Sequence, residues 1–375
     1  MKIVHICLCG PFNDGWNYQD NILPKYHRKL GYDVSILATP FVNDKESTNY
    51  LFYKTGEYYD NDIKIIRLPL MFSNKSKISK RFRLYDGLYK SLVSEAPDIL
   101  FIHGLQFLDI RNVVKYVKKY PKVKVYVDGH QDFMNSARNW LSKYVLHGFI
   151  WNYCAHLIEP YTIKFWGVLP ARVDFLIKMY KLPQEKVDLL VMGAEDEKVR
   201  EAGRQEIKQY IREKYQVKND DFLIITGGKI DKNKSQVLHL MEAVQQINKK
   251  NIKMIIFGSV VTEYKEEFNS LLSDRIQHIG WINSTDIYKY FSAGDLIVFP
   301  GLHSVLWEQA VGQGKPCVFK YIKGFTHVDL GGNCEFFYND SVKEMKDVLE
   351  RIINDKKLYN RMKNVAETKG ISYFS

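Results

Sequence analysis

The chain opens with an apolar run, Lys2–Cys9, then a loop of Gly, Pro and Asn, then a segment from about Tyr18 to Leu30 whose apolar positions recur at helical spacing. Gly31 ends that helix, and a second apolar run, Asp33–Ala38, follows. A short run that is apolar throughout suits a strand buried on both faces, as in a parallel sheet covered by helices. The same succession recurs. Ile63–Leu68, Ile99–His103 and Val123–Asp128 read as strands, with helices near Phe82–Ser94 and Ile110–Lys119. Residues 135–180 read as largely helical and aromatic-rich, and Val187–Met192 as one more strand. Strands alternating with helices predict an α/β, doubly wound domain.

A charged, helical connection, Glu195–Lys218, leads into a fresh series. Phe222–Thr226, Lys253–Phe257, Ile276–Ile279, Leu296–Phe299 and Pro316–Lys320 read as its strands. Helices are expected over Gln236–Asn248, Tyr264–Leu272 and Thr285–Ala293, from near Val305, and over Ser341–Asn354 and Lys356–Thr368. A chain of 375 residues has room for two domains of ordinary size. The expectation is two Rossmann-like, doubly wound parallel-sheet domains, residues 1–196 and 197–375, facing each other across a cleft. Ligands of such sheets bind beyond the carboxyl ends of the strands, so the loops there are where chemistry is sought.

Composition narrows the class. Hydrophobic residues at 46% and charged residues at 26% are ordinary for a globular protein and exclude extensive disorder. The formal charge is +11, which favours anionic partners such as nucleotide diphosphates or phospholipids. Lys75, Lys77, Lys80, Arg81 and Arg83 form a basic run without an acid among them, either a solvated mobile loop or a patch for an anionic membrane surface. No nucleic-acid-binding module is recognisable, so no nucleic acid is expected as partner. The opening MKIVHICLCG is too short and interrupted for a signal peptide, and no stretch approaches 18 uninterrupted apolar residues. Cys7, Cys9, Cys154, Cys317 and Cys334 lack metal-site spacing and read as reduced thiols. A cytoplasmic protein, peripheral at most to the inner membrane face, is expected.

Several strand-end loops carry candidate chemistry. Gly10–Trp16, after the first strand, allows close backbone approach ahead of a helix N-terminus. In Asp128-Gly129-His130-Gln131-Asp132, His130 can donate to a substrate hydroxyl or phosphate, and Asp128 or Asp132 can orient it; a plain turn with a capping Asp is the competing reading. His103 ends another strand. Thr226-Gly227-Gly228-Lys229 through Lys234-Ser235 supplies a glycine turn, lysines and a helix start, the combination that a diphosphate needs. It is not a Walker A loop, since Gly-Lys-Ser/Thr is absent. Glu308 lies early in a helix after a strand, where a carboxylate can accept hydrogen bonds from a ribose diol or merely favour the helix end. Trp281 and Ile282, after Gly280, could offer backbone groups to a nucleobase or form a packed turn. Asp60-Asn61-Asp62 has the spelling of a metal-binding acid pair but reads as a turn.

At these residues the chain resembles glycosyltransferase family 4, the retaining GT-B enzymes, over nearly its whole length. Gly228-Lys229-Ile230-x3-Lys234 is similar to the family's Gly-Arg-Leu-x3-Lys, whose two basic residues hold the donor diphosphate. Asp295–Pro300, Glu308-Gln309-Ala310 and Gly314-Lys315-Pro316 resemble the strand-loop-helix bearing its acidic motif, which makes Glu308 the ribose-binding glutamate. Two departures stand out. Lys229 replaces Arg, keeping the charge without the fork. Pro300 stands where the motif has its first glutamate, in a shortened loop where His303 and Ser304 would take that role. In the first domain, Gly15, Trp16, Tyr18 and Gln19 resemble a bacterial polysaccharide-building branch and would serve the acceptor, together with His103. Asp128-x-His130-x-Asp132 resembles the segment of the active-site histidine, and Phe325–Asn333 also resembles this branch.

The resemblance implies transfer of a hexosyl group, with retention, from a nucleotide-diphosphate sugar, UDP by default, to a hydroxyl of a glycan or lipid-linked glycan. His130, Asp128, Asp132 and His303 would be the catalytic groups, and Gly228, Lys229, Lys234, Trp281, Ile282, Ser304 and Glu308 the donor site. No cofactor and no essential metal are implied. It also implies a terminal helix returning to the first domain, shortened by the end of this chain at Ser375. A non-catalytic relative and a sugar-nucleotide epimerase are the alternatives.

Overall fold

The computed structural model describes residues 1–16, 18–43, 50–136 and 139–375. The chain divides into two compact units, Met1–Val191 and Met192–Ser375. Unit 1 contains strands β1 (Lys2–Cys7), β2 (Asp33–Ala38), β3 (Phe41–Asn43), β4 (Tyr50–Phe52), β5 (Gly56–Asp60), β6 (Ile63–Arg67), β7 (Ile99–His103), β8 (Lys124–Gly129), β9 (Thr162–Gly167) and β10 (Val187–Leu189). Its main sheet has the order β10-β9-β8-β7-β1-β2-β6-β5. All pairs are parallel except β5–β6, a hairpin turned by Asn61 and Asp62, both at positive φ. The chain order reverses between β1 and β7, the topological switch point of this sheet. Strands β3 and β4 form a separate antiparallel pair.

Unit 2 contains β11 (Phe222–Gly227), β12 (Ile252–Phe257), β13 (Ile276–His278), β14 (Leu296–Phe299), β15 (Cys317–Lys320) and β16 (Cys334–Phe337), all parallel, in the order β13-β12-β11-β14-β15-β16. The switch point lies between β11 and β14. Ile224, Met254, Ile256, Leu296, Val298 and Val318 carry the core from strand to strand, closed by Met241 and Leu349 of flanking helices. Near the chain end Phe374 is buried, and its carbonyl accepts from Ala194 N at 2.7 Å, which ties the last residues of this unit to its first.

Three expectations are corrected. The helix expected near Phe82–Ser94 is two helices, Lys77–Phe82 and Leu88–Glu95, because Arg83 and Gly87 take left-handed backbone at φ 54° and 82°. The basic run is therefore partly helical rather than a mobile loop. Residues 135–180 include strand β9, whose terminal Gly167 lets the helix Pro170–Lys178 approach: a Cβ there would stand 2.3 Å from Val173 N. The strand β16 was not anticipated.

Candidate functional site

In unit 2 the loops that follow the neighbouring strands β11 and β14 meet. Gly228 leaves β11 with φ 114°, and a Cβ on it would stand 3.0 Å from Lys234 Nζ, so the ammonium lies over this glycine. Gly301 in the loop after β14 is equally constrained, since its Cβ would stand 2.8 Å from Lys234 Cα. Leu302 N donates to Asn233 O at 3.1 Å, closing the two loops on each other. Among the described residues no carboxylate forms an ion pair with Lys234, and burial pushes its pKa down against the opposing pull of Asp231. A half-buried cation beside a helix start (Gln236–Gln246) suits an anion. Lys229 is exposed on the same loop.

Glu308 is fully buried in the first turn of the helix Leu306–Gly312. One oxygen, Oε1, accepts from His303 Nε2 at 2.8 Å and from His327 Nε2 at 2.9 Å. Burial alone would raise this carboxyl, but the two imidazoles outweigh it and hold it down at about 2. Its other oxygen, Oε2, has no partner among the described residues. Neither do Ser304 Oγ, Trp307 Nε1 and His327 Nδ1, all buried. Buried polar atoms are seldom left unpaired, and each costs about 1–3 kcal/mol when it is. Four such atoms lie on Glu308 and on residues of its own helix, the loop before it and the histidine bonded to it. Trp281 follows β13 and is 71% exposed, with Ile282 half-buried beside it. That turn is linked inward, because Gly258 N donates to Gly280 O at 2.7 Å, and a Cβ on Gly258 would collide with Gly228 O at 2.0 Å.

In unit 1, β7 and β8 bring His103 opposite Asp128. Asp128 is fully buried; its Oδ2 lies 2.7 Å from His103 Nδ1 and its Oδ1 3.1 Å from His130 Nε2. Burial would raise its carboxyl, yet the two imidazoles hold it far below the carboxylate range. His130 keeps a third of its side chain exposed. Asp132 is placed differently. Its Oδ1 accepts from the backbone N–H groups of Met134 and Asn135 at 2.9 and 2.8 Å, and its Oδ2 takes Asn135 Nδ2 at 2.9 Å, the pattern of a turn cap. Gly15 takes φ 71°, Trp16 meets the exposed Tyr18 edge-on at 5.1 Å, and Gln19 begins the helix Gln19–Lys29. Buried Arg67 pins this loop by donating to Asp14 at 2.7 Å and to Phe12 O at 2.8 Å.

Two groups, His103–Asp128–His130 and His303–Glu308–His327, combine two histidines with a carboxylate, a donor set found in metal sites. One nitrogen of each histidine faces a carboxylate oxygen, hydrogen-bonded for His103, His303 and His327 and at 3.1 Å for His130, and we read the groups as charge-paired clusters. His327 and His27 stand in segments that resemble the polysaccharide-building branch, Phe325–Asn333 and Leu23–His27, but neither they nor His5 were assigned a role from the sequence. A histidine inside the apolar run of β1 is the one local signal that was available, since a polar ring there needs a partner.

Residues 207–369, less than half of the chain, match the family model for glycosyl transferases group 1. In sequence, no curated protein matches the chain. Among solved structures, Anabaena Alr3699/HepE in complex with UDP is similar with a TM-score of 0.68 and 12% identity, over 100% of this chain and 96% of that one. A glycosyltransferase from Rickettsia africae ESF-5 gives 0.67 and 15%, over 100% and 94%. WaaG, a glycosyltransferase involved in lipopolysaccharide biosynthesis, gives 0.66 and 12%, over 99% and 97%. At such identities the likeness speaks for the fold, and the fold is GT-B.

Proposed function

We propose that the chain is a retaining, metal-independent glycosyltransferase that moves a hexosyl group from a nucleotide-diphosphate sugar, UDP-linked by default, to a hydroxyl of a glycan or lipid-linked glycan in surface polysaccharide synthesis. The observation that carries this reading is the contact, at the switch point of unit 2, between the loop that holds a lysine without an ion-pair partner among the described residues and the loop that leads to a carboxylate whose second oxygen is buried and unpartnered. The match of residues 207–369 to group 1 glycosyl transferases supports it, as does the UDP held by one protein of the same fold.

In this reading Lys234, with Lys229 beside it, takes the diphosphate, where negative charge accumulates as the glycosidic bond breaks. A cation already in place stabilises that charge without reorganisation. Glu308 Oε2 accepts from the ribose, while Trp307 Nε1 and Ser304 Oγ offer donors nearby. His303 stands in the loop that lacks the family's first glutamate. His130, oriented by Asp128, is the unit 1 group offered to a sugar hydroxyl; Asp132 shapes its loop. Same-face retention needs no second carboxylate of the double-displacement kind. The exposed part of the basic run serves peripheral contact with an anionic membrane.

Calorimetry with UDP, GDP, ADP, TDP and CMP, with and without EDTA, tests the donor site. One diphosphate should bind selectively, survive EDTA and lose at least about tenfold in affinity in Lys234→Ala, roughly 1.4 kcal/mol. No binding by any of them would overturn the reading. Donor bound without transfer to any acceptor would point to a non-catalytic relative, and altered free sugar without acceptor to an epimerase.

A further inference from the structure

The cluster under His130 does not end at His103. His103 Nε2 lies 2.9 Å from His5 Nδ1, and His5 Nε2 lies 3.0 Å from His27 Nδ1. One hydrogen-bonded file results, His27–His5–His103–Asp128, which uses both nitrogens of His5 and His103 and Oδ2 of Asp128; His130 Nε2 stands 3.1 Å from the other oxygen, Oδ1, at ion-pair distance without a hydrogen bond. It runs from the helix Gln19–Lys29 across the neighbouring strands β1, β7 and β8 at the switch point of the sheet. It is buried from His5 to Asp128, with His5 at 0%, His103 at 5% and Asp128 at 0% exposure, while His27 at its outer end and His130 beyond Asp128 are only half-buried. The rings of His5 and His103 stack at 5.2 Å, with Phe101 packed against both.

The proton count along this file is restrictive. Each nitrogen-to-nitrogen link, and the link to Asp128, holds one proton. With every imidazole neutral, the protons sit on Nδ1 of His27, His5 and His103, and all point toward Asp128. Let one proton arrive from solvent at His27 Nε2. The Nδ1 proton of His27 then passes to His5 Nε2, and the Nδ1 proton of His5 passes to His103 Nε2. His27 and His5 are again neutral, now with their protons on Nε2. His103 holds protons on both nitrogens beside the Asp128 carboxylate. No link has gained or lost a proton, and the net change is one proton taken from water. Burial keeps His5 neutral in both states, well below the usual imidazole range, with His103 and His27 acting in the same direction. His27 is lowered too, by burial and by His103. Burial also disfavours charge on His103, but Asp128 and Asp20 outweigh it and the net direction is upward. Among the described residues the titratable groups around the file include Asp20 from the helix Gln19–Lys29, Tyr32 packed edge-on against His27, Cys7 from β1, and Asp128 and His130 from β8 and its loop.

We propose that this file is a single-proton wire that loads and unloads His103 from the His27 end, and so sets the charge of the pair that orients His130 while a ligand covers His130 itself. His27, His5 and His103 are then positioning residues acting through Asp128. The consequence for turnover rests on the functional reading above; the wire itself does not.

The test is imidazole nitrogen NMR on the full chain between about pH 5 and about pH 9, the range in which histidine changes charge. His5 should stay neutral throughout, yet exchange its proton from Nδ1 to Nε2 with the same midpoint at which His103 becomes an imidazolium. A His5 that keeps one tautomer while His103 titrates would overturn the wire. So would a fixed tautomer that EDTA releases, which would make the cluster a metal site. His27→Gln retains hydrogen bonding at a half-buried position but cannot relay, and exchange of the His103 ring protons with water should slow at least about tenfold. Unchanged exchange would overturn the proposal. Under turnover the same variant should shift the pH profile of kcat and leave the donor KM in place. If no nucleotide binds, the functional reading fails while the tautomer measurement still decides the wire.

Discussion

At the scale of single residues, Glu308 shows how a buried charge is kept. Its carboxylate is fully enclosed, and two Nε2–H groups on one oxygen stabilise it there. In the proposed reading only Oε2 is left to accept from a ribose, since both histidines address Oε1. Glu308→Gln keeps the shape but removes the charge that both histidines address. Breaking a buried charged network of this kind costs roughly 3–5 kcal/mol. We expect a fall in Tm at neutral pH and at least about a tenfold loss of nucleotide affinity by calorimetry. The pH dependence has a definite sign. A carboxyl held at about 2 in the folded chain binds a proton more readily once unfolded, so its contribution is complete above the ordinary carboxylate range and is lost as pH falls. The stability gap between wild type and Glu308→Gln should narrow as pH drops from about 5 toward about 3. A constant gap would mean that the two histidines do not hold the charge.

At the scale of elements, the site is made by glycines that let loops touch. Gly301 packs against the backbone of Lys234, so Gly301→Ala must push the loop after β14 away from the turn after β11. The expected result is a drop in Tm together with a nucleotide affinity lowered by about an order of magnitude, because lysine and glutamate would no longer address one ligand. Wild-type affinity in this variant would show that the two loops bind nothing in common. Much of this frame was legible in the sequence, since β2, β7 and β14 are short runs of buried residues with sharp ends and begin and end where the pattern predicts. The strand β9 was hidden because its burial alternates within an aromatic stretch bracketed by helices, and β5 because it is a largely exposed edge. In the site, Lys234, Glu308 and His130 could be picked out by their positions after strands. His327 could not, because it lies 19 residues from Glu308 and meets it only through β15 and the turn that follows. The histidine file is likewise a product of tertiary packing: its members are 22, 98 and 25 residues apart, strand pairing sets His103 opposite Asp128, and the helix Gln19–Lys29 brings His27 against β1.

At the scale of the molecule, the excess positive charge has a surface to act on. Lys75, Lys77, Lys80 and Arg81 are exposed along and beside the helix Lys77–Phe82, and Phe72 and Ile78 stand out between them at 81% and 62% exposure. Arg83 turns inward and lies over the ring of Trp151 at 5.5 Å, which joins this patch to the helical stretch 141–158. That stretch and the residue before it expose Trp140, Leu141, Tyr144, Phe149 and Tyr153. Basic residues beside exposed aromatic and aliphatic side chains suit the interface of an anionic bilayer, where each lysine contributes about 1 kcal/mol and Trp and Tyr settle at headgroup depth. Among the described residues no helix is long and apolar enough to cross a membrane. Co-sedimentation with vesicles separates the two contributions. The chain should bind phosphatidylglycerol vesicles over phosphatidylcholine ones and be released by salt. Reversing Lys75 and Lys77 to Glu should cost at least about tenfold in partition and flatten the salt dependence. Trp140→Ala with Phe149→Ala should weaken binding at every salt concentration and leave that dependence as it was. Equal binding to both kinds of vesicle, or to neither, would leave the positive charge to serve the soluble anionic donor alone.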